Sequence, residues 1–164
     1  MPSDTPLFTR ALPDADATAA FAIALGALLR AGDVLLLEGP IGAGKTHFAR
    51  ALIQDRLSRL GRNEDVPSPT FTLVQVYDAE PEIWHADLYR LGHPDEAIEL
   101  GLEEAFDAAI CLIEWPERLG PLTPPDALRL SFTQTEGGAA RRVSAFGPAT
   151  WAARLAALES ATND

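Results

Sequence analysis

The sequence predicts an α/β fold of three layers, with a central, mostly parallel sheet and antiparallel additions. Three observations lead there. The apolar runs Val34–Leu37 and Ala109–Ile113 read as a central strand and a buried strand. Helix-like segments follow or flank them, in the strand–helix alternation of a parallel core. Between the first run and the next helix stands Gly39-Pro40-Ile41-Gly42-Ala43-Gly44-Lys45-Thr46, a complete G-x-x-x-x-G-K-[ST] phosphate-binding loop. That loop makes the fold P-loop NTPase-like, with nucleotide at the C-terminal ends of the strands.

In chain order, Leu7–Leu12 reads as a short first strand. Pro13-Asp14-Ala15-Asp16 supplies N-cap chemistry for an Ala/Leu-rich helix running to Arg30, which Gly32 stops; Phe21, Leu25, Leu28 and Leu29 fall at helical spacing. Val34–Leu37 feeds the phosphate loop, and Thr46 to about Leu60 forms the helix behind it, closed by Gly61. Residues Arg62–Pro69 are polar, with two prolines, and read as a loop. Phe71–Tyr77 and Ile83–Tyr89 are strands joined through a turn at Asp78–Glu82, a candidate hairpin. Pro94-Asp95-Glu96-Ala97 opens a helix that extends to Phe106 with an interruption at Gly101. After Ala109–Ile113 comes a loop, Pro116–Pro125, then strands Leu128–Phe132 and Arg142–Phe146 joined through Gly137-Gly138. A helix from Ala149 to about Glu159 ends the chain. No repeat or interdomain linker interrupts the 164 residues, so one domain is expected over 1–164.

Composition narrows the function. With 13 basic and 24 acidic residues the formal charge is −11, which argues against wrapping nucleic acid unaided, because such binding rests on Lys and Arg neutralising phosphates. A local basic patch or a place beside an RNA-binding partner stays open, and solubility is the plain reading of the acidity. The opening residues do not read as a signal peptide and no apolar run has the length of a membrane span, so a cytoplasmic protein is expected. Cys111, the one cysteine, lies within an apolar run and reads as core packing.

The loop's residue types follow from its chemistry. Glycines let successive N–H groups turn inward onto a polyphosphate, and the following helix adds its positive N-terminal end. Lys45 reaches the β- and γ-phosphates and the Thr46 hydroxyl ligates Mg²⁺. Carboxylates from other strands must complete such a site. Glu114, directly after Ala109–Ile113, stands where a Walker B acid belongs, against the reading of a strand-end glutamate facing water. Strand periodicity puts Ile83, His85, Asp87 and Tyr89 on one face, either a functional wall or a structural polar cluster. Ser68-Pro69-Thr70-Phe71-Thr72 is either a switch-like segment over a γ-phosphate or a turn before a threonine-rich strand. Trp115 either covers a base or ribose or packs. His47 and His93 have no second metal ligand at zinc spacing.

Four segments in this order, Leu37–Thr46, Ser68–Val74, His85-Ala86-Asp87-Leu88-Tyr89-Arg90-Leu91 and Ile110-Cys111-Leu112-Ile113-Glu114-Trp115-Pro116, resemble the TsaE (formerly YjeE) family of tRNA threonylcarbamoyladenosine biosynthesis ATPases over roughly Pro13–Phe146. The resemblance implies a small cytoplasmic bacterial ATPase, weak alone, that acts with TsaD and TsaB. That machinery installs threonylcarbamoyl on adenosine 37 of tRNAs reading codons that start with adenine. ATP hydrolysis there resets the transferase, and tRNA is met only through the complex. Carried over by position, Lys45 grips the phosphates of ATP and Thr46 ligates Mg²⁺. Glu114 becomes the metal acid, Asp87 the second carboxylate near Mg²⁺ or the attacking water, Thr70 part of the switch-like loop, and Trp115 a neighbour of the nucleotide. Pro13–Thr18 matches the family's region near the adenine.

Three departures stand out. Pro40-Ile41 replaces the usual Asp/Asn-Leu of the loop, His47 replaces a second threonine, and no arginine finger is evident. Two rivals remain: a small-molecule P-loop kinase, which needs an arginine-rich lid that Arg56–Arg62 and Arg141-Arg142 do not clearly offer, and a nucleotide-gated binding module without meaningful turnover.

Overall fold

The computed structural model describes residues 5–40, 42–69, 72–135 and 140–162, with side chains through Leu158. Strands β1 (Phe8–Leu12), β2 (Val34–Glu38), β3 (Val74–Tyr77), β4 (Ile83–Asp87), β5 (Ile110–Glu114), β6 (Leu128–Gln134) and β7 (Arg141–Phe146) form one sheet in the order β1-β7-β6-β2-β5-β4-β3. The four central strands β6, β2, β5 and β4 run parallel, while β1, β7 and β3 join antiparallel. Helices α1 (Ala15–Gly26), α2 (Lys45–Ser58), α3 (Asp95–Glu99), α4 (Leu102–Ala108) and α5 (Ala149–Thr162) complete the fold, with a 3₁₀ segment at Pro116–Leu122 that kinks at Gly120.

Alternation along the central strands separates two cores. Leu35, Leu37, Ile110 and Leu112 pack with Phe21 and Leu25 of α1, Phe48, Leu52 and Ile53 of α2, and Trp151 and Leu155 of α5. Val34, Leu36, Cys111 and Ile113 face the other way, onto Ala97 of α3 and Leu102 and Ala105 of α4. Burial on both faces is why these strands read as unbroken apolar runs. Rings of Phe8, Phe21, Phe48 and Phe132 stack edge to face or tilted at 5.9, 5.7 and 5.5 Å, tying β1 to α1, α2 and β6.

The predicted elements are present with shifted ends. Helix α1 stops at Gly26, short of Arg30, where the guanidinium of Arg56 donates to the carbonyls of Gly26 and Leu29. The hairpin forms as β3–β4, but β3 begins only at Val74, after Leu73 at φ 67, and β4 ends at Asp87. Gly101, at φ 87, splits the predicted helix into α3 and α4. β6 and β7 pair antiparallel; their Gly137-Gly138 connection lies outside the described residues. No helix among the described residues is long and apolar enough to cross a membrane.

Candidate nucleotide site

The site is built where β2 passes into α2. Gly39, Gly42 and Gly44 take φ values of 143, 83 and 103, a left-handed run that side-chain-bearing residues avoid. A Cβ on Gly39 would stand 2.6 Å from the Phe132 carbonyl oxygen, so the glycine is also sterically required. Inside the loop, Ala43 N–H donates to the Pro40 carbonyl. From outside, Gln134 Nε2 and the Arg141 guanidinium both donate to the Gly42 carbonyl, at 3.0 and 2.9 Å. Ile41 and Thr70 lie outside the described residues.

Lys45 opens α2 and folds back, its Nζ donating to the Gly39 carbonyl at 2.7 Å and standing 3.5 Å from the centre of the Trp115 ring. Burial pulls its pKa below the ordinary lysine value, against the opposing pull of Glu114, Glu117 and Asp87. The next residue, Thr46, donates its hydroxyl to Glu114 Oε1 at 2.8 Å. Trp115 sits at φ 58 and ψ 52 and stacks tilted on Tyr89 at 5.0 Å. Such a backbone is uncommon outside glycine and turns the chain so that the indole covers the lysine.

Register brings the carboxylates here. Asp87 of β4, Glu114 of β5 and Leu37 of β2 are Cα partners in one row at the ends of three neighbouring parallel strands. Period-2 alternation from Ile110 and Leu112 turns Glu114 to the α2 side, and from Ile83 and His85 it turns Asp87 the same way. Both acids are nearly buried, 2% and 6% exposed. Glu114 Oε2 meets His85 Nε2 at 2.7 Å inside the protein. Asp87 Oδ1 accepts from the Tyr89 N–H. The predicted wall thus holds for His85 and Asp87, whereas Tyr89 lies past the strand end and is exposed.

Gly42, Lys45, Thr46, Asp87, Glu114 and Trp115 surround one cavity of about 290 Å³, joined by Ser68, Tyr89 and Arg90. A second cavity, about 430 Å³, abuts it across Gly42 and Thr46 and is lined by Asp14, Ala15, Thr18, Gly44, His47 and Arg141. His47 Nε2 bonds to the Ala15 carbonyl at 3.0 Å, tying α2 to α1 beside this space. Among the described residues no three His, Cys, Asp or Glu side chains gather as a metal cage. A hydroxyl with two carboxylates is instead the donor set that Mg²⁺ takes when phosphates and water fill its remaining positions. The residues therefore fit an ATP–Mg²⁺ complex by donor chemistry.

Sequence reasoning did not foresee the His85–Glu114 contact or the Arg141 and Gln134 bonds to Gly42. These depend on strand order, of which spacing carries no trace.

This architecture is that of a P-loop NTPase-like α/β domain. The chain belongs to the TsaE family: the model described as "Threonylcarbamoyl adenosine biosynthesis protein TsaE" matches residues 12–143. It is 42% identical over 113 residues to the tRNA threonylcarbamoyladenosine biosynthesis protein TsaE of Rickettsia bellii, covering 68% of this chain and 76% of that one. The Bacillus subtilis protein of the same name is 38% identical over 115 residues, 69% of each chain. The crystal structure of Bacillus subtilis YdiB superimposes with a TM-score of 0.76 at 26% identity, over 96% of both chains.

Proposed function

We propose that this chain is the ATP-binding and ATP-hydrolysing subunit of the bacterial machinery that makes N6-threonylcarbamoyladenosine in tRNA, acting in the cytoplasm with TsaD and TsaB and meeting tRNA only through them. Family membership supports the process. One observation carries the chemistry: Lys45, Thr46, Asp87 and Glu114 converge on a single cavity at the phosphate loop.

The loop N–H groups and the start of α2 are suited to bind phosphates. Lys45, now resting on the Gly39 carbonyl and Trp115, is the cation for the β- and γ-phosphates. The neighbouring cavity at Asp14–Thr18 suits the nucleoside, which accords with the family's adenine region. Thr46, Glu114 and Asp87 would hold Mg²⁺; when bound, that ion neutralises charge developing on the phosphates. Asp87, nearly buried at the cavity wall, is the carboxylate to orient the attacking water. Trp115 and Tyr89, in contact with each other, line the same cavity.

The kinase alternative loses support from its arginines. Arg56 bonds the Gly26, Leu29 and Glu80 carbonyls, Arg59 pairs with Asp55, and Arg62 with Glu64 and the Asp78 carbonyl. These lie around the far end of α2 and are occupied, so they do not make a lid; Arg141, which does line the neighbouring cavity, is held on the Gly42 carbonyl of the loop. A screen for phosphoryl transfer to small acceptors tests this: a kinase needs an acceptor, whereas the proposed ATPase transfers to water. A nucleotide-gated module would sustain tRNA modification with non-hydrolysable ATP; the proposed ATPase would not.

A further inference from the structure

We infer, on the reading of this cavity as an ATP and Mg²⁺ site, that His85 is a positioning residue that aims the Glu114 carboxylate and thereby sets how strongly Mg²⁺ promotes nucleotide binding. Three side chains form one chain of contacts. His85 Nε2 meets Glu114 Oε2 at 2.7 Å, and Thr46 Oγ1 donates to Glu114 Oε1 at 2.8 Å. Each oxygen of the carboxylate thus has its own partner, one on β4 and one on α2. An ionised carboxylate only accepts, so the ring nitrogen facing it carries the hydrogen and donates.

The placement is costly for a merely packed residue. His85 is 0% exposed, with Ile83 two residues before it on the same strand and Leu112 as its Cα partner on β5. Its Nδ1 has no hydrogen-bond partner among the described residues, so its bond to Glu114 is the polar contact that accounts for an imidazole there. An apolar side chain would suit the surrounding packing as well. What it would not do is restrain Glu114. Without the Nε2–H, rotation about the glutamate side chain is checked on one oxygen only, and the carboxylate no longer keeps Oε1 toward the hydroxyl that shares the metal. Groups of this kind behind a metal ligand change metal affinity by roughly 10–100-fold.

The test compares affinity for a fluorescent N-methylanthraniloyl ATP with excess Mg²⁺ and with EDTA, in the full chain and in His85→Leu and His85→Gln. The Gln carboxamide carries its N–H at a reach close to that of Nε2. His85→Leu is expected to lose about 10–100-fold of the affinity that Mg²⁺ confers while binding within about twofold of wild type in EDTA. His85→Gln is expected to keep most of the Mg²⁺ effect. Should the Leu variant fail to fold, His85→Asn takes its place, since its amide matches Nδ1 rather than Nε2. A wild-type Mg²⁺ effect in the Leu or Asn variant overturns the inference. So does equal loss with and without Mg²⁺ in all variants alongside a lowered Tm, the mark of packing alone. A wild-type chain that gains nothing from Mg²⁺ overturns both the inference and the reading of the cavity on which it rests.

Discussion

The Lys45 ammonium stands 3.5 Å from the centre of the Trp115 ring and donates to the Gly39 carbonyl, so the key cation of the phosphate loop is engaged within the protein. ATP bound as proposed would exchange these contacts for charge-assisted ones to phosphate oxygens, which are roughly twice as strong as neutral hydrogen bonds. Lys45→Ala is therefore expected to weaken ATP binding by about a hundredfold or more in equilibrium titration. Indole fluorescence should also change on ATP addition, and Trp115→Phe should remove most of that change although Trp84 and Trp151 remain.

Glu114 separates binding from turnover. Its carboxylate is bonded to Thr46 and His85. Glu114→Gln keeps the shape and one acceptor oxygen but loses the charge. In EDTA it should bind ATP within about tenfold of wild type, whereas the affinity that Mg²⁺ adds should shrink at least as far as in His85→Leu and hydrolysis should fall by about 10²–10³, as when a preorganised charge is removed from a reacting site. Unchanged steady-state hydrolysis would contradict the assignment.

Two glycines of the loop should respond differently to alanine. Gly39→Ala places a Cβ 2.6 Å from the Phe132 carbonyl and strains a φ of 143, whereas Gly44→Ala meets nothing within 4 Å and bears only the strain of φ 103. Urea denaturation should show a loss of about 1–2 kcal/mol for Gly44→Ala and a clearly larger one for Gly39→Ala.

Cys111 links stability to alkaline pH. Burial, with a smaller push from Glu82, raises its thiol from 9.0 to about 12. The unfolded chain then releases this proton from about pH 9 while the folded chain keeps it, so the folded state binds more protons between pH 9 and 12 and stability falls across that window. Cys111→Ala should flatten this limb of a plot of denaturation free energy against pH, although the lost sulfur lowers stability throughout. The native thiol should also resist iodoacetamide at pH 8 until the protein unfolds.

Local sequence carried the site's inner half. The loop, Lys45 and Thr46 are contiguous, and Glu114 announces itself by ending an apolar run that is buried on both faces. His85 and Asp87 were legible as one strand face, but their meeting with Glu114 was hidden because it is not local. That Asp87 pairs with Glu114 follows from β4 lying beside β5, and Arg141 reaches Gly42 only because β7 and β6 fold back beside β2. Element ends slipped for tertiary reasons too. The helical spacing continues to Leu29, but Gly26 packs on Leu52 and Arg56 takes the freed carbonyls, so α1 stops there. At Leu73 a positive φ delays β3, which residue type alone does not signal.

The most direct measurement is ATP hydrolysis by the full chain, alone and with TsaD and TsaB, with threonylcarbamoyladenosine formation in tRNA scored in the same reactions. Slow turnover alone, stimulation by the partners, and loss of both stimulated hydrolysis and multiple-turnover modification in Glu114→Ala are expected. No hydrolysis with the partners present, or phosphate transferred to a small acceptor, would contradict the proposed function.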